Sequence, residues 1–181
     1  MVLALCGPTQ VGKTYAKEAI LRHRKDVKEL RWYTTKPLSP DETVGRHLSD
    51  EQFERNCLSG LLISFEKDDG YKYGFATHDI VRNDVLFVTE ICPSLISDLK
   101  EINPDVVAIS LVTDGLDILK DRLKLCCKSN AELEKRLSVA KEELEFAREN
   151  YDYFDVAVLV TKKNQKSFRS TVLLLANALA P

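Results

Sequence analysis

The residues most able to do chemistry lie in one octapeptide, Gly7-Pro8-Thr9-Gln10-Val11-Gly12-Lys13-Thr14, directly after the apolar run Val2-Leu3-Ala4-Leu5-Cys6. It fits G-x-x-x-x-G-K-[ST], a turn whose fixed positions each have a mechanical task. Gly7 and Gly12 permit a tight, partly left-handed turn through Pro8, Thr9, Gln10 and Val11 that aims consecutive backbone N–H groups, none of them from Pro8, at phosphate oxygens. Lys13 sets a cation on the outer phosphates, and the Thr14 hydroxyl is a ligand for Mg²⁺. The spacing predicts a site for a nucleoside triphosphate with its Mg²⁺, ATP being the donor taken up below. The bland alternative is a glycine-rich turn without a ligand, and the flanking strand and helix patterns argue against it.

Such a turn needs a strand before it and a helix after it, and the pattern supplies both. Val2–Cys6 reads as a strand, and residues 14–24 as a helix whose positive end faces the same anions. Further β-type runs fall at 30–34, 85–90 (VLFVTE), 106–112 (VVAISLV) and 154–160 (FDVAVLV). Helical patterns separate them at 93–102, 116–125, 131–150 and 166–179. This alternation predicts an α/β fold on a parallel sheet. Residues 35–77 break it, with one short helix at 49–59 opened by the capping box Ser49-x-x-Gln52. Two strand-like pieces, 61–65 and 71–75, flank the turn Lys67-Asp68-Asp69-Gly70. A polar link at 125–130 precedes the longest helix.

The chain has 181 residues, 26 basic and 28 acidic side chains, and a net charge of −2, which suits one globular domain with no field drawing it to nucleic acid or membrane. Five cysteines without a C-x-x-C pair suggest reduced thiols and a cytoplasmic setting, not disulfides or a zinc knot. No signal peptide is expected at the N-terminus, and no apolar run approaches a membrane span. His23, His47 and His78 are unclustered, so histidine metal binding is not expected. Cys126-Cys127 suits neither a disulfide nor chelation. The acidic run Glu142-Glu143-x-Glu145 reads as a solvated helix face.

Taken in order, the segments resemble the guanylate-kinase family of nucleoside-monophosphate kinases. Gly7-Pro8-x-x-x-Gly12-Lys13-Thr14 matches that family's phosphate loop, and Thr34-Thr35-Lys36-Pro37 with Pro40-Asp41-Glu42 resembles its T-T-R-P…P-G-E segment. Leu48-Ser49-Asp50-Glu51-Gln52-Phe53 resembles V-S-x-E-E-F, and Tyr73-Gly74 the Y-G turn. Lys135-Arg136-Leu137-Ser138-Val139-Ala140 with Glu143-Leu144 resembles the helix after the lid, and Tyr151-Asp152-Tyr153 the Y-D-Y before the last strand. The resemblance implies a three-layer P-loop kinase fold on a five-stranded, mainly parallel sheet. The core would be 1–34 and 78–181, with an acceptor-binding insert at 35–77 and a short lid near 124–131.

It also implies an activity: transfer of the γ-phosphoryl of Mg-ATP to a nucleoside monophosphate, by a monomer or homodimer. Lys13, Arg122 and Arg136 are then the catalytic candidates, with Lys36, Tyr73, Ser64 and Glu90 on the acceptor side. Glu90, ending an apolar strand where α/β sheets bind ligands, would hold Mg²⁺ through water or orient the acceptor; alternatively it is a solvated strand-end charge. Arg136 would lean over the phosphates or pair with Glu132 or Glu143 on its own helix. Arg122 matches the family arginine that stacks on adenine. The family's second lid arginine is replaced by Leu125-Cys126-Cys127-Lys128, where Lys124 or Lys128 would substitute.

The departures all concern the acceptor. Lys36 stands for an arginine and keeps its charge without the bidentate fork. Ser39 replaces another arginine, Ser64 the guanine-reading glutamate and Phe75 a serine, while the loop is shortened at Gly45-Arg46-His47. Arg46 has only its position to recommend it. The shortened insert also resembles the ribose bisphosphate phosphokinases related to guanylate kinase, which implies a sugar-phosphate acceptor. A non-catalytic peptide-binding module is the third reading, though such modules generally carry a degraded phosphate loop.

Overall fold

The computed structural model describes residues 1–40, 42–66 and 70–178. The expected turn over Lys67-Asp68-Asp69, Asp41 of the P-x-E segment and Leu179 at the end of the last helix lie outside the described residues. Two sheets organise the chain. The larger holds β1 (Val2–Cys6), β2 (Val27–Glu29), β7 (Leu86–Ile91), β8 (Val107–Thr113) and β9 (Val156–Val160), in the order β2-β7-β1-β8-β9. Every pairing in it is parallel. The smaller holds β3 (Trp32–Thr34), β4 (Arg46–His47), β5 (Leu62–Glu66) and β6 (Lys72–Ala76), in the order β4-β3-β6-β5.

Alternation along the central strands feeds two cores, as a sheet covered on both faces requires. Leu3 and Leu5 of β1 pack with Leu86, Val88, Ile109 and Leu111 on one face. That face is covered by α1 (Lys13–His23), α5 (Asp117–Lys124), α6 (Asn130–Glu149) and α7 (Gln165–Ala178), through Ala16, Ile20, Leu119, Ala140, Leu144, Phe168 and Val172. Val2, Ala4 and Cys6 point the other way, to Phe87, Ile91, Ala108 and α4 (Ile96–Ile102), with Ile96 and Leu99. The fold is therefore a three-layer α/β fold on a five-stranded parallel sheet, as expected.

The expected strand over 30–34 is divided. Leu30 is buried and its N–H bonds the Val88 carbonyl at 2.9 Å, beside β2 at the sheet edge. The chain then leaves that sheet, and Trp32–Thr34 pairs antiparallel with β6, Trp32 opposite Phe75. In the insert, the expected capping box on α2 (Asp50–Leu58) is formed: Ser49 Oγ accepts from Gln52 N and the Gln52 side chain accepts from Ser49 N. A short helix, α3 (Thr77–Ile80), leads back to the large sheet. In the long helix α6 the spacing 4, 3, 4, 3 sets Leu133, Leu137, Ala140, Leu144 and Ala147 in one apolar stripe, and all but the half-buried Leu137 are buried.

Candidate functional site

The octapeptide is built by backbone that only glycine adopts readily. Gly7 has φ 136° and Gly12 φ 117°, and a Cβ on Gly7 would stand 2.3 Å from the Leu111 carbonyl oxygen. Gln10, at φ 62°, is the non-glycine residue in the left-handed region among the described residues. Helix α1 starts at Lys13, so its free N–H groups end the turn. Lys13 Nζ donates to the carbonyls of Gly7 (2.5 Å) and Pro8 (3.0 Å), lying back along the turn it would serve.

Three distant side chains brace this turn. Arg122 of α5 donates from Nη1 to the carbonyls of Gln10 (2.8 Å) and Val11 (2.9 Å). Burial lowers the Arg122 guanidinium below its ordinary pKa, and it stays charged at neutral pH. Arg136 of α6 reaches Thr9 Oγ1 at 3.4 Å and Cys126 Sγ at 3.6 Å, and also stands 3.8 Å from Glu132. Arg136 thus stands between its helix neighbour Glu132 and the turn at Thr9. Glu143 was read as part of a solvated face; instead its Oε2 accepts the Thr9 N–H at 3.0 Å. Sequence reasoning missed it because helical periodicity assigns it to the flank of the stripe and cannot show the loop that meets that flank.

Beside the turn is a cavity of about 660 Å³, lined by residues 9–15, Glu90, Arg122, Val160 and Phe168. Tyr15 stacks on Phe168 with ring centroids 6.2 Å apart, giving the cavity an aromatic wall. Glu90 divides its carboxylate. Oε2 accepts from the Thr14 hydroxyl at 3.0 Å, and Oε1 pairs with Lys17 Nζ at 2.8 Å. Lys17 also pairs with Glu29 at the end of β2. Burial alone would depress the Lys17 ammonium; the bonds to Glu29 and Glu90 outweigh that and raise its pKa above the ordinary value.

A second cavity, of about 250 Å³, lies between the two sheets, lined by Lys17, Glu29, Leu30, Trp32, Glu42, Phe65, Tyr73, Phe75, Thr89 and Glu90. Glu90 lines both cavities. Glu42 Oε1 accepts from the N–H groups of Val44 and Gly45, both at 2.8 Å, which shapes the loop at its rim. Of the acceptor candidates, Tyr73 and Glu90 meet here. Ser64 does not: alternation in β5 sends Ile63 and Phe65 to the cavity side and turns Ser64 toward α2, beside Phe53 and Cys57. Lys36 is exposed, its ammonium 5.5 Å from the Tyr71 ring centroid, and Arg46 bonds the Thr43 and Gly45 carbonyls. Lys17, Glu29, Trp32 and Glu42 were not anticipated; a lysine spaced one turn after Thr14 was the available signal.

The donor set suits a hard divalent cation. Thr14 Oγ1 and Glu90 Oε2 are oxygen donors 3.0 Å apart, of the kind Mg²⁺ takes together with phosphate and water oxygens. Among the described residues no group of three or more His, Cys, Asp or Glu forms a metal cluster. No helix among them is long and apolar enough to cross a membrane.

No protein-family model matches the chain. Among curated proteins, it is 32% identical over 162 residues to a protein from Desulfitobacterium hafniense named guanylate kinase, with 84% of this chain and 80% of that protein covered. Proteins of the same name from Clostridioides difficile and Thermotoga maritima are 28% and 26% identical, covering 85% and 86% of this chain and 78% of each relative. Among solved structures, the guanylate kinase of Anaplasma phagocytophilum superposes with a TM-score of 0.66 at 19% identity, covering 98% of this chain and 85% of that one. The SH3-kinase fragment of tight junction protein 3 superposes with a TM-score of 0.50 at 11% identity, covering 98% of this chain and 57% of that one. At those identities the two structures bear on fold alone.

Proposed function

The chain belongs to the guanylate kinase family, and from that premise we propose that it transfers the γ-phosphoryl group of Mg-bound ATP to a nucleoside monophosphate of GMP type. One observation carries the reading: Glu90 forms the wall shared by the cavity at the phosphate turn and the cavity between the sheets. Donor and acceptor held on either side of that wall would meet beside Lys13 and Thr14. In-line phosphoryl transfer asks a protein mainly for position and charge, and both are available here.

In this reading the loop amides and Lys13 hold the β- and γ-phosphates, Lys13 turning from the Gly7 and Pro8 carbonyls toward them. Thr14 and Glu90 would hold Mg²⁺, which would supply neutralisation of the charge on the transferring group. Arg136, near Thr9, and Arg122, on the loop carbonyls, set positive charge around the transferred phosphoryl. Tyr73 and Glu90 orient the acceptor, with Lys36 reaching it from the rim. Residues 35–77 act as the acceptor-binding insert and the link near 124–131 as the lid, and their closure excludes water that would otherwise hydrolyse ATP.

A second reading, a sugar-phosphate acceptor such as ribose bisphosphate, is favoured by one observation. Phe65 and Phe75 present rings to the acceptor cavity while Ser64, at the position of the family's guanine-reading glutamate, faces away from it, so that reader is missing. A coupled assay of ADP release from Mg-ATP separates the readings, run with GMP, the other nucleoside monophosphates and ribose bisphosphate. GMP-dependent turnover supports the first. Turnover with ribose bisphosphate alone replaces it with the second. No turnover with any of them, together with no ATP-induced thermal shift, refutes both and leaves a binding module.

A further inference from the structure

Lys17 has no part in the phosphate-loop pattern, yet it is the ammonium that lines the acceptor cavity among its described lining residues. It lies three residues after Thr14, on the same side of α1, so the two side chains meet Glu90 from adjacent turns. Its side chain is only 17% exposed, against 23% for Glu29 and 24% for Glu90. The two carboxylates come from the ends of the neighbouring parallel strands β2 and β7. One ammonium is therefore shared by two acids, one of which also serves the donor side.

Building on the phosphotransfer reading, we propose that Lys17 is a positioning residue that reports donor loading to the acceptor cavity through Glu90. The argument is competition for one carboxylate. A Mg²⁺-bound triphosphate beside Thr14 draws Glu90 toward the donor side, because a divalent charge at short range outweighs a single ammonium. Glu90 then releases Lys17 toward Glu29 and the cavity between the sheets. There the ammonium faces the acceptor phosphate, in a cavity that otherwise presents Glu29, Glu42 and Glu90. With donor absent, Lys17 is tied to two acids and a second anion gains little from it. The order of binding follows: donor first, acceptor second.

Trp32 is the protein's one tryptophan and lines the same cavity, its ring 6.0 Å from Tyr73, so its emission reads that cavity directly. The test titrates the intact protein with Mg-AMPPNP while following Trp32 emission, with calorimetry measuring nucleotide affinity. It compares wild type, Lys17→Arg, Lys17→Met and the double variant Lys17→Met/Glu29→Gln, which removes one acid with the lysine and guards against misfolding. Wild type and Lys17→Arg should show an emission change on binding. Both methionine variants should lose it while keeping nucleotide affinity within about threefold. In steady state they should raise KM for the acceptor about tenfold, the scale of one charge-assisted bond, with less change in kcat. A methionine variant that keeps the emission change overturns the proposal, as does a wild type whose Trp32 ignores bound nucleotide. If the emission pattern holds but no monophosphate is phosphorylated, the functional reading fails and the relay stands.

Discussion

Replacing Gly7 by alanine tests the phosphate turn on two separable terms. The first is backbone strain: at φ 136° an L-residue is held in a sparsely populated region, a cost of about 1–3 kcal/mol. The second is steric, since the new methyl would stand 2.3 Å from the Leu111 carbonyl oxygen, which is backbone of a central buried strand and cannot turn aside. Overpacking of this kind costs about a further 1–3 kcal/mol. Gly12→Ala supplies the control. Its φ of 117° imposes the strain, but its nearest neighbours, in Phe168 and Arg122, are 3.5 Å away or more and leave room. Gly7→Ala should therefore lose about 2–6 kcal/mol and Gly12→Ala about 1–3 kcal/mol. For a domain of this size each kcal/mol lowers Tm by about 2–4 °C. Thermal denaturation followed by circular dichroism, with urea titration to check equal m values, measures both. A Gly7→Ala Tm equal to or above that of Gly12→Ala would show that β8 does not press on the turn as described.

Four further outcomes follow from the same geometry. Lys13→Ala should cut phosphoryl transfer by about a hundredfold or more while changing stability by only about 1 kcal/mol, since Lys13 spends its charge on two loop carbonyls; steady-state kinetics and urea melts check the two parts. Glu143→Ala should weaken Mg-ATP binding by removing the brace that holds the turn at Thr9, whereas Glu143→Gln, which keeps an acceptor oxygen, should recover most of it in calorimetry. Asp26, Asp84 and Asp121 are held below the ordinary carboxylate range by bonds from Arg24, Arg82 and Lys162. Their contribution is complete above about pH 4 and drains away as pH falls through their lowered pKa values; all three are exposed, so Tm measured from pH 6 to 2 should show a loss that salt reduces. Burial pushes the Cys6 thiol far above its ordinary pKa, so a disulfide reagent should label exposed Cys126 in the folded protein and reach Cys6 only on unfolding, read by mass spectrometry.

The parallel core was legible because its strands are unbroken apolar runs and its helices carry a clear stripe. Val2–Cys6, Val156–Val160 and the α6 stripe fall where periodicity put them, to within a residue or two. The edge was not legible. Val27–Glu29 is three residues long with only Val27 buried, too short for alternation to register, and Arg46–His47 is exposed on both positions. The phosphate turn could be read because its chemistry is local in sequence. The cavity between the sheets could not, since it is assembled from α1, β2, β3, β5, β6 and β7, and membership depends on which face of a strand each residue takes. Ser64 shows this: its position in the chain was read, its facing was not.

The division of the strands into two sheets has a practical corollary. Among the described residues no ladder is shared between them, and the main chain leaves the larger sheet after Leu30 and returns through α3. The rings that Trp32, Phe65, Tyr73 and Phe75 contribute all belong to the smaller sheet, whereas the glycine-framed turn joins β1 of the larger to α1. Residues 32–76 thus form a cassette. Transplanting that stretch from a relative should retune which molecule is phosphorylated and leave the grip on the nucleotide donor untouched, provided Glu90 and Lys17 stay with the host.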